Sequence, residues 1–532
     1  MTALHALLVC ASLAPQESHF IDASLPVEGT LLAAEFIDVD MDGRDEVVLA
    51  VRTPAGAREI RIHDAGPESV ARTPKRTIRV LEDVVAWTFA DVREEPGREL
   101  VLLTRGGAFA MDPNVERLRG NIRRLIDVPL LYDVPNPLAL PYWAYVLETG
   151  RGERLLLPDR NGFALYGPPE VGPAGAGDAP GEDGAEGAWR RLTDWPAGGG
   201  AIAPDPDDDE ARRRKMESDR RRGEARFADT VGSDLMPFMS ESLGTTLASD
   251  GRSMRAPALV DIDGDGRRDL LLLLDKQLRV HIATAEGIPA IATRTEELPE
   301  YLKRGDQAAS LRLVDLDGDG RLDLLATWSE DLKSFENVEW RVFVLLSKPG
   351  RMFPAEPNQV LRFEAAQIRL DVGLIDGDKR PDLVVRTFVL PGKIEAATGL
   401  KFEFSHLMYR GERGGFERKP TLRQARTYDE SGVREVIANR RMTMDCSGDG
   451  LGDLVEVGLD GRIAIKRLRK ESGFFSATKW LIDDAPWKSY AARGSVLSLE
   501  IEDLNGDGLG DIVSRGENGL TVLLSKKGKG NG

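Results

Sequence analysis

The chain has 532 residues and a formal charge of −17, with 88 acidic against 71 basic residues. This balance argues against nucleic acid as a ligand, because phosphate binding needs a basic footprint. Only two cysteines, Cys10 and Cys446, are present, which excludes a disulfide-stapled fold.

Residues 1–18 are predicted to be a signal peptide. Residues 4–13 are mostly apolar, and Ser12, Leu13 and Ala14 approximate a small-x-small cleavage site. No Lys or Arg precedes the apolar stretch, and Pro15 would follow the cut, so the signal is weak. No later apolar stretch approaches the ~20 residues of a membrane span. We expect a secreted, periplasmic or cell-surface protein, with a cytoplasmic one as the alternative.

An acidic loop of fixed spacing recurs five times along the chain, starting at residues 38, 261, 315, 445 and 503. Oxygen-bearing side chains stand at loop positions 1, 3, 5 and 9, glycine stands at position 6, and the backbone carbonyl of position 7 is a further candidate ligand. Side chains on alternate residues of a tight loop converge on one point. Hard oxygen ligands clustered this way suit Ca²⁺, which takes six to eight oxygens.

One calcium ion in each loop gives about five ions in the chain, on the coordination rule for a single loop. The predicted metal ligands are Asp38, Asp40, Asp42, Arg44 and Glu46; Asp261, Asp263, Asp265, Arg267 and Asp269; Asp315, Asp317, Asp319, Arg321 and Asp323; Asp445, Ser447, Asp449, Leu451 and Asp453; and Asp503, Asn505, Asp507, Leu509 and Asp511.

Three weaker units lie between the intact loops. The unit at 91 keeps Glu95 and Glu99, the unit at 146 has lost most of its carboxylates, and the unit at 374 keeps Asp376, Asp378 and Asp382. Eight units therefore start near 38, 91, 146, 261, 315, 374, 445 and 503.

Every unit reads as an apolar strand, the loop, a second apolar strand, a turn and a third strand, with a fourth strand plausible in the linker. Most units start 53 to 59 residues apart. That period with three or four strands is typical of β-propeller blades, whose small sheets bury both faces only when packed in a ring. The predicted fold is all-β, a propeller of about eight blades, with seven possible if two units share a blade. The last unit lacks an outer strand, which residues 19–27 could supply.

The step of 115 residues after the third unit contains an insertion at 168–250. Its first part is rich in Gly, Pro and Ala, and residues 205–226 are densely charged, so the segment is expected to be disordered or an exposed helix. The predicted organisation is a signal at 1–18, blades 1–3 at 19–167, the insertion, blades 4–8 at 251–525 and a disordered tail at 526–532. A solvated surface insertion and a docking element both remain open.

These repeats resemble the FG-GAP/VCBS repeats of integrin-α-like β-propellers, whose blades carry calcium in a D-x-D/N-x-D-G-x-x-D loop. The resemblance covers roughly residues 30–525 apart from the insertion. It implies calcium at the five intact loops and none at the units starting at 91 and 146, and it leaves the unit at 374 open. EF-hands are excluded because position 12, Leu272 in the second intact loop, falls in an apolar strand.

No catalytic residues are predicted. The five histidines lie far apart, with none in a metal or triad spacing, and His281 alternates with apolar neighbours like a structural residue. Cys446, at position 2 of its loop, reads as a packed residue. The leading hypothesis is a non-catalytic, monomeric, calcium-stabilised scaffold for a protein or glycan ligand. The alternative is a propeller polysaccharide lyase or glycoside hydrolase, which an acidic pair with a raised pKa would favour.

Overall fold

The computed structural model describes residues 19–526 with internal gaps. These gaps are 67–68, 94–95, 105, 116–120, 128–139, 150–151, 160–161, 169–188, 197–241, 244–245, 250–251, 256, 275–276, 305–306, 309, 330–336, 391–401, 429–439, 459 and 472–477. The predicted signal at 1–18, most of the insertion and residues 527–532 of the tail lie outside the described residues.

Eight antiparallel sheets, six of four strands and two of five, follow one another along the chain, which confirms the eight-bladed propeller. The strands before and in blades 1 to 3 are β1 (Phe20–Asp22) and β2 (Leu25–Pro26); β3 (Thr30–Ile37), β4 (Glu46–Arg52), β5 (Arg58–His63), β6 (Ala65–Gly66), β7 (Ser69–Val70) and β8 (Arg76–Val80); β9 (Val84–Ala90), β10 (Glu99–Thr104), β11 (Gly107–Met111) and β12 (Arg123–Ile126); and β13 (Val146–Thr149), β14 (Gly152–Asp159), β15 (Gly162–Gly167) and β16 (Arg190–Pro196).

The strands that follow, up to the end of blade 5, are β17 (Ser242–Leu243), β18 (Thr246–Ser249) and β19 (Arg252–Arg255); β20 (Ala258–Val260), β21 (Asp269–Leu273), β22 (Gln277–His281) and β23 (Arg294–Glu297); β24 (Lys303–Arg304) and β25 (Gln307–Ala308); and β26 (Ser310–Val314), β27 (Asp323–Ser329), β28 (Val338–Leu345) and β29 (Gln359–Ala365). A single 3-10 turn, Glu300–Leu302, is the helical element of the described residues.

Blades 6 to 8 complete the ring. Their strands are β30 (Gln367–Gly373), β31 (Asp382–Val389), β32 (Phe402–Tyr409), β33 (Gly411–Glu412), β34 (Gly415–Phe416) and β35 (Leu422–Tyr428); β36 (Arg440–Arg441), β37 (Leu454–Val457), β38 (Arg462–Lys466), β39 (Leu468–Glu471), β40 (Lys479–Ile482) and β41 (Lys488–Ala491); and β42 (Val496–Glu502), β43 (Asp511–Gly516) and β44 (Gly519–Ser525).

The N-terminal strand closes the ring. Blade 8 contributes only β42, β43 and β44 from the C-terminal end, and β1 pairs antiparallel with β44 to complete its sheet. β2 extends the same pairing through Leu25 and Leu520. The expectation that residues 19–27 supply the missing outer strand is therefore confirmed.

The insertion is shorter than its sequence suggests. β16 lies within 168–250, yet it pairs with β15 as the fourth strand of blade 3. Trp189 and Trp195 are buried. This part of the predicted insertion therefore packs into the blade, although the sequence around it is of low complexity. Blade 3 consequently reaches residue 196.

Burial differs across each blade according to strand position. The second strands are buried on both faces because neighbouring blades cover them: β21 is buried throughout, and β43 is buried except at Arg515. The outer strands β8 and β35 alternate between more buried and exposed residues. Apolar clusters join adjacent blades around the ring, including one between blades 8 and 1 with Val522 and Leu49. The core is therefore a set of interfaces between sheets.

Candidate metal centres

The five acidic loops connect the first strand of a blade to its second strand. In the blade 4 loop, the carboxylate of Asp261, at position 1, accepts the N–H groups of Gly264 at 2.7 Å and Gly266 at 2.8 Å. Asp315 does the same in blade 5 and Asp445 in blade 7. The position 1 carboxylate thus folds the loop around itself, and this brings positions 3 and 5 to the same side.

Glycine at position 4 is a feature that the sequence interpretation missed. Gly264, Gly318, Gly448 and Gly506 have φ of 80°, 76°, 75° and 72°, as left-handed as the glycines at position 6. The first loop has Met41 there, at φ 59°. The repeated G-D-G pattern of four loops carried this signal, because two left-handed residues separated by one are needed to coil so short a loop.

The position 9 carboxylate is a buried clamp. Asp323 is 1% exposed; one oxygen accepts Leu316 N–H at 2.9 Å and the other accepts Ser347 N–H at 2.7 Å, just past the third strand. Asp269 and Asp511 make the equivalent pairs of hydrogen bonds. The clamp therefore ties the loop to the third strand of its own blade.

Burial changes the ionisation of these clamps. Desolvation raises the pKa of Asp323 to about 6 and that of Asp453 to about 7, and it also raises the pKa of Asp269 and Asp511. Asp453 is fully buried, and its Oδ1 has no backbone partner among the described residues. A nearby cation would offset the cost of keeping these carboxylates charged.

Three of the loops gather carboxylates closely enough to share one ion. The sets are Asp38, Asp40 and Asp42; Asp261, Asp263 and Asp265; and Asp315, Asp317 and Asp323. In each set the ligand oxygens lie within 4.8 Å of one another. Calcium–oxygen distances of about 2.4 Å place opposite ligands about 5 Å apart, so these donor sets fit Ca²⁺. The loops of blades 7 and 8 offer Ser447 and Asn505 at position 3, where the other three have a third carboxylate.

The arginine at position 7 contacts a carboxylate of the loop in blades 4 and 5. The guanidinium of Arg267 contacts Asp265, and that of Arg321 contacts Asp319. Leu451 and Leu509 occupy this position in blades 7 and 8. Only the backbone carbonyl of position 7 was predicted as a ligand, so the charged side chains are an additional feature.

Two of the weaker units show no acidic cluster among their described residues. In blade 3, β13 pairs with β14 with Thr149 opposite Gly152. In blade 2, Glu99 keeps the clamp role by accepting Val92 N–H at 3.0 Å, while Glu153 of blade 3 accepts Asp91 N–H at 2.7 Å. These contacts replace the acidic cluster with ties between the two blades.

In blade 6 an arginine takes the place that a metal would have. Arg410, which follows the third strand, contacts Asp376 through its Nε, and the Asp376 side chain is 2% exposed. Leu374, at position 1, is 54% exposed. The clamp is intact, because Asp382 accepts Ile375 N–H at 3.0 Å and Gly411 N–H at 2.8 Å.

Neighbouring loops are hydrogen-bonded to one another on one side of the ring. The residue at position 8 donates its backbone N–H to the carbonyl oxygen of the residue at position 1 or 2 in the preceding loop. The pairs are Arg98 to Val39 at 2.8 Å, Glu153 to Asp91 at 3.1 Å, Gly452 to Ile375 at 2.7 Å and Gly510 to Asp445 at 2.7 Å. A side chain at Gly510 would meet Ile501 at 2.6 Å, so glycine permits this approach. These bonds connect the loops of blades 1 to 3 and those of blades 6 to 8, and the bond from Gly510 to Asp445 is the one of the four that joins two intact acidic loops.

An acidic pair lies away from the loops, on first strands of two adjacent blades. Arg515 Nη2 lies 3.8 Å from Glu35 Oε1 of blade 1 and 3.8 Å from Glu500 Oε2 of blade 8. Burial, opposed by Arg515, raises the pKa of Glu35 to about 7. This is the kind of pair that the enzyme alternative requires, although a guanidinium lies between its members.

The remaining candidates have structural surroundings. His281 is buried, with Nδ1 2.9 Å from Pro289 O. Cys446 is buried and unoxidised, and burial raises the pKa of its thiol well above its ordinary value. No helix among the described residues is long and apolar enough to cross a membrane.

Comparison with known proteins supports the repeat assignment. Residues 261–326, which contain the loops of blades 4 and 5, match the profile of an FG-GAP-like repeat. Eight antiparallel blades with recurrent acidic loops define a β-propeller. The chain is a β-propeller with an FG-GAP-like repeat in blades 4 and 5. A search of curated proteins finds no match.

Solved structures give only remote similarities. A chain from the crystal structure of BBS1N in complex with ARL6DN is 9% identical, with 96% of this chain and 98% of that chain covered and a TM-score of 0.32. A chain of the Photorhabdus luminescens Tc holotoxin pore is 15% identical, with 90% of this chain and 18% of that chain covered and a TM-score of 0.28. At these TM-scores neither similarity bears on function.

Proposed function

We propose that this protein is an exported, calcium-stabilised propeller that serves as a non-catalytic, monomeric binding or adhesion scaffold for a protein or glycan. The observation that carries the proposal is the recurrence of the acidic loop at the same place in five blades. Five loops have the predicted ligand residues for Ca²⁺, and three of them gather carboxylate oxygens within 4.8 Å of one another. The hydrogen bond from Gly510 N–H to Asp445 O joins the acidic loops of blades 8 and 7, so ordering one of these two loops with calcium would help to order the other.

Calcium would act here mainly as a structural cation. Each loop holds three or four carboxylates that repel one another when charged, and a divalent ion removes that repulsion. The position 9 clamp transmits the order of the loop to the third strand, as the contact between Asp323 and Ser347 illustrates. A stable scaffold surface at millimolar calcium is the expected result.

The test is a thermal melt of the full chain with 2 mM excess free Ca²⁺ (about tenfold above a Kd typical of extracellular sites) and again with EDTA, with metal content measured on the same sample. We expect about five calcium ions per chain, on the one-ion-per-loop rule, and a large loss of Tm on chelation. An unchanged Tm with no bound metal would show that the loops are turns without a metal function.

The ligand of the proposed scaffold can be sought by asking whether its binding depends on calcium. A glycan array and a panel of extracellular matrix proteins, probed with and without calcium, should give binding that is lost in EDTA together with the ordered loop surface. Binding that persists after chelation would locate the ligand site away from the loops.

The enzyme alternative rests on one observation, the raised pKa of Glu35 near Glu500. A protonated Glu35 could act as a general acid on a polysaccharide, with Glu500 as its partner carboxylate. Cleavage assays on a panel of polysaccharides, with Glu35→Gln as the variant, decide this. Cleavage lost by about 100-fold or more in the variant would favour the enzyme, whereas an inactive wild-type protein favours the scaffold.

A further inference from the structure

The interface between blades 6 and 7 contains a polar layer where apolar packing is the rule elsewhere in the ring. Antiparallel pairing places Arg369, Arg386, His406 and Gln424 in one row across the four strands of blade 6. Blade 7 meets this blade through the carbonyl of Arg440, which accepts Arg386 Nη1 at 2.7 Å, and through Glu456, which pairs with Arg426 at 3.1 Å. The propeller therefore places a row of nitrogen-rich side chains between two sheets, with His406 buried and the other three partly buried.

Apolar layers enclose this row on both sides. Val384, Met408 and Leu422 belong to the apolar cluster shared by blades 6 and 7. On the other side, Phe388 and Phe404 stack with ring centroids 4.7 Å apart. Because Val384, Arg386 and Phe388 alternate along one strand, they face the same way. Solvent water is consequently a poor partner for the polar row.

The two carboxylates of the interface pair with some of its cations. Asp371 accepts Arg386 Nη2 at 3.0 Å. Glu456 lies within 2.6 Å of Lys466 Nζ, 3.0 Å of Arg440 Nη2 and 3.1 Å of Arg426 Nη1. Four cations thus face two carboxylates, which leaves an excess of positive charge in a chain that is acidic overall.

His406 lies among these positively charged side chains. It is 2% exposed, and neither ring nitrogen has a hydrogen-bond partner among the described residues. Arg440, Arg386 and Arg426 are the charged groups that act on it. The amide oxygen of Gln424, the next residue in the row, is also buried without a partner there, and its amide can present N–H instead by rotation. Buried polar groups left this way cost free energy, so they indicate a missing polar partner.

We propose that blades 6 and 7 enclose a binding site for a small oxyanion of the sulfate or phosphate class, held by Arg386, Arg440 and His406 with Gln424 at its outer side. An oxyanion accepts hydrogen bonds from several directions and neutralises the surplus charge, which a neutral water molecule cannot do. The proposed site would bind an anion, whereas the acidic loops would bind a cation. Sulfate binding and calcium binding can therefore be measured separately.

The test uses sulfate on the calcium-loaded full chain, because phosphate would precipitate calcium. Isothermal titration calorimetry at constant ionic strength should give one saturable site. Arg386→Gln should weaken sulfate binding at least tenfold. The matched control is Arg423→Gln: this arginine neighbours Gln424 but its side chain is 66% exposed, and binding should be unchanged. Equal binding by both variants would overturn the proposal.

Two further measurements keep the result decisive. If Arg386→Gln does not fold, as judged by its far-ultraviolet spectrum, His406→Phe replaces it, since phenylalanine fits between the aromatic and apolar layers. If the site is filled during purification, ion chromatography of the unfolded protein should release one anion per chain. Neither heat of binding nor released anion would mean that an ordered water serves His406, and the proposal would be wrong.

Discussion

The loops of blades 5 and 6 share a buried clamp and differ in what lies beside their carboxylates. Both have a buried position 9 clamp, Asp323 in one and Asp382 in the other, with hydrogen bonds to the same two places. In blade 5, three carboxylates lie close enough together to share one ion, whereas in blade 6 Arg410 contacts Asp376. The hydrogen bonds of the clamp therefore belong to the fold in both blades, whereas the carboxylates that could hold an ion, Asp315 and Asp317 with the clamp Asp323, are gathered in blade 5.

Removing calcium should have the largest effect, and it should act on blade 5 without acting on blade 6. A free calcium concentration tenfold above Kd stabilises about 1.4 kcal/mol per site, or about 7 kcal/mol for five independent sites. Hydrogen exchange measured with and without EDTA should show loss of protection in β27 and little change in β31. Equal loss in both strands would mean that the ring responds as one unit and that the arginine is no substitute.

The stabilisation by calcium should depend on pH. Burial raises the pKa of Asp323 and of Asp382 to about 6 and that of Asp453 to about 7. A carboxyl whose folded pKa lies above its unfolded pKa holds its proton more tightly when folded. Its contribution to the free energy of unfolding is therefore present at low pH and is lost as pH rises through the folded pKa.

In EDTA these groups should make the chain more stable at pH 5 than at pH 7.5, at about 1.4 kcal/mol for each unit of raised pKa within that window. Calcium binds the charged form at Asp323 and Asp453, so its stabilising effect should be larger at pH 7.5. Blade 6, with Asp382, should keep the metal-free trend. Melts at both pH values with calcium and with EDTA measure this; an effect of calcium that is the same at both would contradict it.

Arg410→Gln should break the blade 6 arrangement without changing the number of bound calcium ions. Removing one partner of a buried pair costs about 3–5 kcal/mol, but the Arg410 side chain is 33% exposed, and solvent screening lowers the expected loss to about 2 kcal/mol. Urea unfolding measures it. Arg413→Gln, an exposed neighbour, should stay within about 0.5 kcal/mol of wild type. Matching losses in the two variants would remove the special role of Arg410.

Much of the fold and of the loop chemistry could be predicted from the sequence, and the features that could not be predicted depend on contacts between distant strands. The blade count, the five loops and the closing strand follow from a pattern that repeats at fixed spacing. Arg410 lies 36 residues after Leu374, so its contact with Asp376 depends on how β31 and β32 pair. The row through Arg386 and His406 depends likewise on strand register, which no local pattern specifies.

Rebuilding the blade 6 loop should convert it into a sixth calcium site. The change combines Leu374→Asp and Lys379→Gly with Arg410→Leu, which restores positions 1 and 6 and removes the competing cation. The clamp at Asp382 is already in place. Metal analysis should give one more ion per chain than wild type, with a gain of about 1.4 kcal/mol at tenfold excess calcium. Arg410→Leu alone is the control and should bind no additional ion.

The smallest expected effect concerns the arginine at position 7. Arg267 contacts Asp265 in blade 4, where the loops of blades 7 and 8 have leucine, and its side chain is 48% exposed. The guanidinium competes with calcium for the Asp265 oxygen, so Arg267→Leu should tighten calcium binding at this loop. An exposed pair is worth about 0.2–1 kcal/mol, which corresponds to a gain of at most about fivefold in affinity. Calcium titrations followed by calorimetry measure it against Arg268→Leu, an exposed neighbour with the same charge change. Because both variants remove one positive charge from the loop, only a gain confined to Arg267→Leu identifies the contact with Asp265 as the competitor, and equal gains would reduce the effect to the net charge of the loop.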